Sequence, residues 1–398
     1  MMDKTIDTHA LPPLEQAQLR LGYLRLNDSA PLVMAENLGL FDAYGLEVEL
    51  CREVSWANLR DKLVTGDLDA AQMLSPLPLS TSLGLGGLRA QLCTGLGLSL
   101  NGNAITLGTA LSAELGVDFG VGAVDARATA QALGHHLRSG QQDRVLTLAA
   151  SHAFSCHHFQ LRLWLQAGGI DPDRDLRIIV LPPEQMVDSL SRGMIDGFCV
   201  GEPWNSMAVQ QGVGTVHATG FDIWNNGLEK VLAVTQDWHG AHPATHLRLR
   251  LALMQACTWL ASEENREQAV SVLAHRDYLD MPEEYLRPAL TGQFRYSKQS
   301  AQVPQPLFHV FGRFQAGFPW RSSGEWLLRQ MAATLGREFS DEDVKALVQQ
   351  TYRTDLYREA ARQLQLPSPD SDSKPHNENR IPWTFAPGIE LGADYFLH

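Results

Sequence analysis

Three residues are placed to handle a small anion. Trp56 follows Ser55, and His157 follows Ser155-Cys156; each group stands where an amphipathic helix should begin. The first N–H groups of a helix lack partners within it and carry partial positive charge, so they attract anions. Lys230, after Gly227-Leu228-Glu229 and just ahead of an apolar strand, could supply a compensating cation. Each has a plainer reading when taken singly: Trp56 as a core aromatic, His157 as a satisfied surface or core histidine, Lys230 as a solvated lysine. Together, drawn from both halves of the chain, they favour a cleft.

Other patterns do not point to chemistry. Gly84-Leu85-Gly86-Gly87 and Gly95-Leu96-Gly97 lack the spacing and the following Lys-Ser/Thr of a phosphate-cradling loop. Ser155-Cys156-His157-His158 looks like a nucleophile or metal cluster, yet adjacent side chains on a helix diverge, so a helix start is the better reading. Neither His-Glu-x-x-His nor Gly-x-Ser-x-Gly occurs. The five cysteines are scattered without paired metal-ligand spacing and read as reduced thiols. No catalytic residue, cofactor or metal is expected.

The elements that must position these residues follow an α/β plan. At 398 residues the chain exceeds what one core usually supports, so two lobes are expected. A formal charge of −13 opposes direct binding to nucleic acid or anionic membranes. No stretch approaches transmembrane length. The start, Met1 to Ala10, carries acids where a secretion leader carries bases, and no apolar run follows, so a cytoplasmic location is expected.

Strands are predicted at Leu19 to Leu24 and Leu46 to Cys51, with a helix from Ser29 to Leu40 between them. An internal repeat comes next. Trp56 to Ala70 and Pro183 to Gly197 share a helix with an apolar face, a Gly, an Asp and a buried strand, at a constant offset of 127 residues. Gly66, Asp69 and Pro76 thereby match Gly193, Asp196 and Pro203. The Gly suits a left-handed helix end, and the Pro turns the chain into a loop at the carboxyl end of the strand, where open α/β sheets place ligands. Helices over Ala126 to Leu137 and Ser155 to Gln166, and strands near Val145 to Ala149, Val213 to Ala218 and Val231 to Val234, extend the pattern. The chain reads as helical from Pro243 onward. Pro367 to Pro382 is a polar loop, and the aromatic stretch Trp383 to His398 is too apolar for simple disorder. The expected organisation is an extension over 1–18, a first lobe over 19–103, a second over 104–222, a return with C-terminal helices over 223–366, and a tail over 367–398.

Asp196-Gly197-Phe198-Cys199-Val200-Gly201-Glu202-Pro203-Trp204-Asn205, with Ala167 to Pro172 and Pro182-Pro183 before it, resembles the nitrate/bicarbonate solute-receptor family of ABC importers. Ser55-Trp56, Arg60-Asp61, Leu74-Ser75-Pro76, Leu100-Asn101-Gly102 and Glu229-Lys230 follow in the family's order, and the likeness runs from about Leu19 to Leu366. The resemblance implies a two-lobed α/β fold of the type II periplasmic-binding-protein class with a largely helical C-terminal part. It also implies nitrate contacts from Trp56, His157 and Lys230, from Asn103 where the family has Gln, and Pro203 nearby. Because a leader and a lipid-anchor cysteine are not evident, the chain is most similar to the cytoplasmic nitrate/nitrite sensors of the NasS type. These hold an RNA-binding antiterminator of the ANTAR class (NasT type) until the anion binds. The alternatives are the receptor component of a nitrate/bicarbonate importer and, from another class, a thiamine-pyrimidine-synthase-like enzyme, which would need a histidine cluster not evident here.

Overall fold

The computed structural model describes residues 10–119, 123–140 and 144–397. The first nine residues of the expected extension, and Gly122, lie outside them. Two sheets organise the chain. Strands β1 (Gln18–Leu24), β2 (Glu47–Glu53), β3 (Ala70–Leu74) and β4 (Leu92–Asn101) belong to the first. The second is built from β5 (Asn103–Gly108), β6 (Thr147–Ala150), β7 (Arg177–Val180), β8 (Gly197–Gly201) and β9 (Gly214–Thr219). The chain then returns to the first sheet through β10 (Leu228–Thr235). A hairpin of β11 (Gln293–Phe294) and β12 (Val303–Pro304) interrupts the C-terminal helices, and β13 (His309–Val310) completes the first sheet.

The strand orders are β13-β4-β10-β3-β1-β2 and β7-β6-β8-β5-β9. In each sheet three strands run parallel (β2-β1-β3 and β7-β6-β8) and the strands beyond them pair antiparallel. The predicted repeat extends to register. Leu21 pairs with Ala70 in the first sheet and Leu148 with Gly197 in the second, so both members of the pair move by the same 127 residues. Asp69 and Asp196 explain the constancy. The Asp69 carboxylate accepts from Arg20 N at 2.7 Å and its own N–H donates to Arg20 O; Asp196 does the same with Thr147, accepting at 2.7 Å. Each Asp therefore ties the opening of its strand to the neighbouring parallel strand, and a shift in spacing would break that tie. Gly66 and Gly193 both leave their helices with positive φ, at 81° and 67°, the conformation for which Gly carries no Cβ penalty.

The long β4 was not legible in the sequence. It contains Gly95 and Gly97, and all ten of its residues are buried. A Cβ on Gly97 would stand 2.3 Å from the Ala316 carbonyl oxygen, and one on Gly95 2.6 Å from Leu356 Cβ. Glycine here admits the C-terminal segments against the strand face. The predicted helix at Ser29 is shorter, Ala30–Asn37, because a 3-10 turn, Asn27–Ser29, precedes it. The C-terminal part is largely helical, led by Pro243–Leu260, which is almost wholly buried. The tail folds back: Arg321 and Arg358 hold Asp372, and Phe396 stacks on Trp224 and Trp326 at ring separations of 5.4 and 4.8 Å. No helix among the described residues is long and apolar enough to cross a membrane.

Candidate functional site

The chain crosses between the sheets at two places, and the candidate residues gather there. The first crossing is Asn101-Gly102-Asn103, joining β4 to β5. Asn101 and Gly102 both have positive φ, at 60° and 96°. A Cβ on Gly102 would stand 2.3 Å from the buried His309 ring, so only glycine satisfies both the backbone and the space. This bend delivers Asn103 to the junction. The second crossing, between Thr219 and Leu228, delivers Glu229 and Lys230 at the opening of β10.

Lys230 pairs with Leu74 across the antiparallel ladder, at the carboxyl end of β3 just before Ser75-Pro76. Its side chain is fully buried, and its Nζ donates to Glu229 Oε1 at 2.9 Å and forms an ion pair with Asp28 Oδ2 at 2.7 Å. Two carboxylates beside one ammonium overcome the desolvation that would otherwise depress a buried lysine, and its pKa is raised. Glu229 shows the same balance from the other side. Burial pushes its carboxyl up, but Lys230 and His157 outweigh that and hold it at about 2. For Asp28 burial wins over Lys230, and the pKa is raised. Gln72 Nε2 donates to Asp28 Oδ1 at 2.7 Å, fixing the carboxylate from β3.

His157 sits in the first turn of the helix Cys156–Ala167, whose N-cap Ser155 accepts from His158 N. Its ring is buried, with Nδ1 against Ser151 Oγ and Nε2 at 3.2 Å from Glu229 Oε1. If the Ser151 hydroxyl donates to Nδ1, the neutral ring carries its proton on Nε2, facing Glu229. Asn103 Nδ2 donates to Glu229 Oε2 at 2.6 Å and to Gln160 Oε1 at 3.1 Å. Trp56 opens the helix Trp56–Thr65, N-capped by Ser55, and lies with its ring 5.5 Å from Lys230 Nζ. Its indole N–H is buried and has no acceptor among the described residues. An N–H in that state costs stability unless an acceptor reaches it.

Trp56, Asn103, His157 and Lys230 thus converge, three of them on Glu229 and the fourth over the Lys230 ammonium. Pro203 enters through its neighbour. Glu202 N donates to Gly102 O, and Glu202 O accepts from Asn27 N at 2.8 Å, so this turn clasps the first crossing to the Asp28 turn. Asp28 and Gln72 escaped the sequence reading, which began its helix at Ser29; Glu229 was seen only as the neighbour of Lys230. An acid in the first turn after β1 was the available signal. Among the described residues no group of three or more His, Cys, Asp or Glu could hold a metal ion.

Burial raises the Glu202 carboxyl to about 8, partly offset by Ser206 N, which donates to it. A carboxyl raised above its unfolded value stabilises the fold fully below that value, and the contribution disappears as pH rises through about 8. Glu202→Gln should therefore gain on the native protein between pH 5 and pH 8.5, by an amount on the order of 4 kcal/mol at most. Urea unfolding of both proteins across that window measures the difference, and parallel pH curves would refute it.

A two-sheet α/β body with buried donors gathered at its crossings is an architecture of solute-binding proteins. A model of the NMT1-like family matches residues 12–274, and the chain belongs to that family, in its nitrate/bicarbonate solute-binding branch. It is 31% identical to the nitrate/nitrite binding protein NrtA of Synechocystis sp. over 94% of this chain and 82% of that one. The crystal structure of periplasmic NrtA from Synechocystis superposes with a TM-score of 0.84 at 29% identity, covering 96% of this chain and 97% of that chain. It is also 38% identical to the nitrate import ATP-binding protein NrtC of Synechocystis, over 95% of this chain but 55% of that protein. The chain therefore spans about half the length of the first of the curated relatives it matches.

Proposed function

We propose that this chain binds nitrate or nitrite at the junction of its two sheets and serves as the recognition component of a nitrate/bicarbonate import system. The observation that carries the reading is the buried convergence of Lys230, His157 and Asn103 beside the indole of Trp56, whose N–H has no acceptor among the described residues. A flat, singly charged, weakly hydrated anion needs one cation, a few neutral donors and an apolar wall, and this set supplies them. Calorimetric titration of the purified chain should give micromolar affinity for nitrate, about −8 kcal/mol. Sulfate should bind far more weakly, because its second charge has no second cation in the cluster. Nitrate failing to bind at any ionic strength would end this reading.

A second reading concerns where the anion is sensed. The identity is higher to an import ATP-binding protein, 38%, than to the binding protein NrtA, 31%, and a protein that binds ATP works where ATP is, inside the cell. This favours a cytoplasmic chain that reports the anion to a partner. By the sensor resemblance that partner is an ANTAR-class RNA-binding antiterminator, released when nitrate binds. Pull-downs from cells grown with and without nitrate separate the two. Loss of an RNA-binding protein on adding nitrate supports the sensor, and recovery of a membrane permease supports the importer component.

A further inference from the structure

Glu229 is a flat, singly charged oxyanion built into the chain. It is buried, and its two oxygens meet the groups assigned above to the ligand: Lys230 at 2.9 Å, His157 at 3.2 Å and Asn103 at 2.6 Å. Those partners come from both sheets, Lys230 from β10 of the first, Asn103 from β5 of the second, and His157 from the helix beside β6. A carboxylate that draws donors from both sides of the junction does what a bound nitrate would do. Charge counting sharpens the point. Lys230 is the one ammonium between two buried carboxyl groups, Asp28 and Glu229, so the site already holds more acid than base before any ligand arrives. A second uncompensated anion in the same low-dielectric site would be strongly disfavoured.

We infer that Glu229 is an internal competitor that sets the affinity of the site: the anion displaces its carboxylate from Lys230, Asn103 and His157, and the displaced carboxyl takes up a proton. The inference rests on the anion-binding reading above. The titratable groups that face or influence Glu229 are Asp28 from the first turn, Cys156 and His157 from the helix start, Cys199 from β8, Lys230 from β10 and His309 from β13. Asp28 stays with Lys230 in this scheme, so the complex remains neutral apart from Asp28, Lys230 and the ligand. Charge then balances as one anion and one proton bound together.

The test is nitrate calorimetry on the native chain and on Glu229→Gln from pH 6 to pH 8. The native affinity should fall by up to about tenfold for each unit of rising pH, the limit for one linked proton. Glu229→Gln should bind at least tenfold more tightly at pH 7.5, with that slope lost. Equal or weaker binding by the folded variant, or retention of the pH slope, overturns the inference while leaving nitrate binding intact. Absence of nitrate binding in both proteins instead defeats the functional reading beneath it. Should the variant fail to fold, titration of the native chain in two buffers of different ionisation enthalpy decides. Uptake near one proton per nitrate supports displacement, and uptake near zero overturns it.

Discussion

Replacing Lys230 with alanine is expected to abolish nitrate binding and to cost about 3–5 kcal/mol of folding stability, the range for removing one partner of a buried ion pair. Lys230 is the shared counter-ion of Asp28 and Glu229, and neither carboxylate has access to solvent. Without the ammonium, both must be protonated or the junction must open. The pH dependence follows with a definite sign. In the native protein Glu229 is held at about 2, so its contribution is present at neutral pH and is lost only as pH falls toward that value. In the variant the stranded carboxyls move the other way, above their unfolded values. Stability is then greatest in acid and declines as pH rises through the new values. The gap between the two proteins should therefore shrink on going from pH 8 to pH 5, as read by urea unfolding. A loss under 1 kcal/mol at pH 7.5 would mean that the cluster does not carry the charges assigned to it.

Gly102→Ala should be nearly as severe without touching any charged group. The new methyl would enter at 2.3 Å from His309 Cε1, on a residue whose φ of 96° an L side chain rarely adopts. His309 cannot easily yield, because its ring is buried and stacked on Phe311 at 5.6 Å. Overpacking costs about 1–3 kcal/mol and the left-handed backbone about 1–2 kcal/mol more. Because Gly102 sets the path from β4 to β5, Asn103 should lose its place beside Glu229, and nitrate affinity should fall together with the melting temperature. Gly66→Ala is the control. It shares the positive φ but meets no atom within 4 Å, so only the backbone part of the cost should appear and binding should persist. Equal effects from the two substitutions would remove the crossing from the account of the site.

The difference between those two glycines marks the boundary of sequence reasoning here. Local pattern determined a great deal. Helix starts at Ser55 and Ser155, left-handed ends at Gly66 and Gly193, and the two Asp-opened strands are dictated by neighbours in the chain, because capping, chirality and strand entry act within a few residues. The 127-residue spacing carried that pattern into a shared register. Trp56, His157 and Lys230 were legible as donors for the same reason: each stands at the edge of an element whose type is locally set.

What only the tertiary structure decided is what those donors meet. Gly95 and Gly97 had no assigned element until Leu356 and Ala316, more than two hundred residues away, were packed against them. Asp28, one residue ahead of the predicted helix, had no assigned role until β10 brought Lys230 to within 2.7 Å of it. The charge of a buried site is a sum over residues from the turn after β1, from β10 and from a helix, and no spacing rule encodes that sum. Sequence singled out Lys230 as a candidate cation. Long-range packing brought Asp28 to it and buried the neighbouring Glu229 against it.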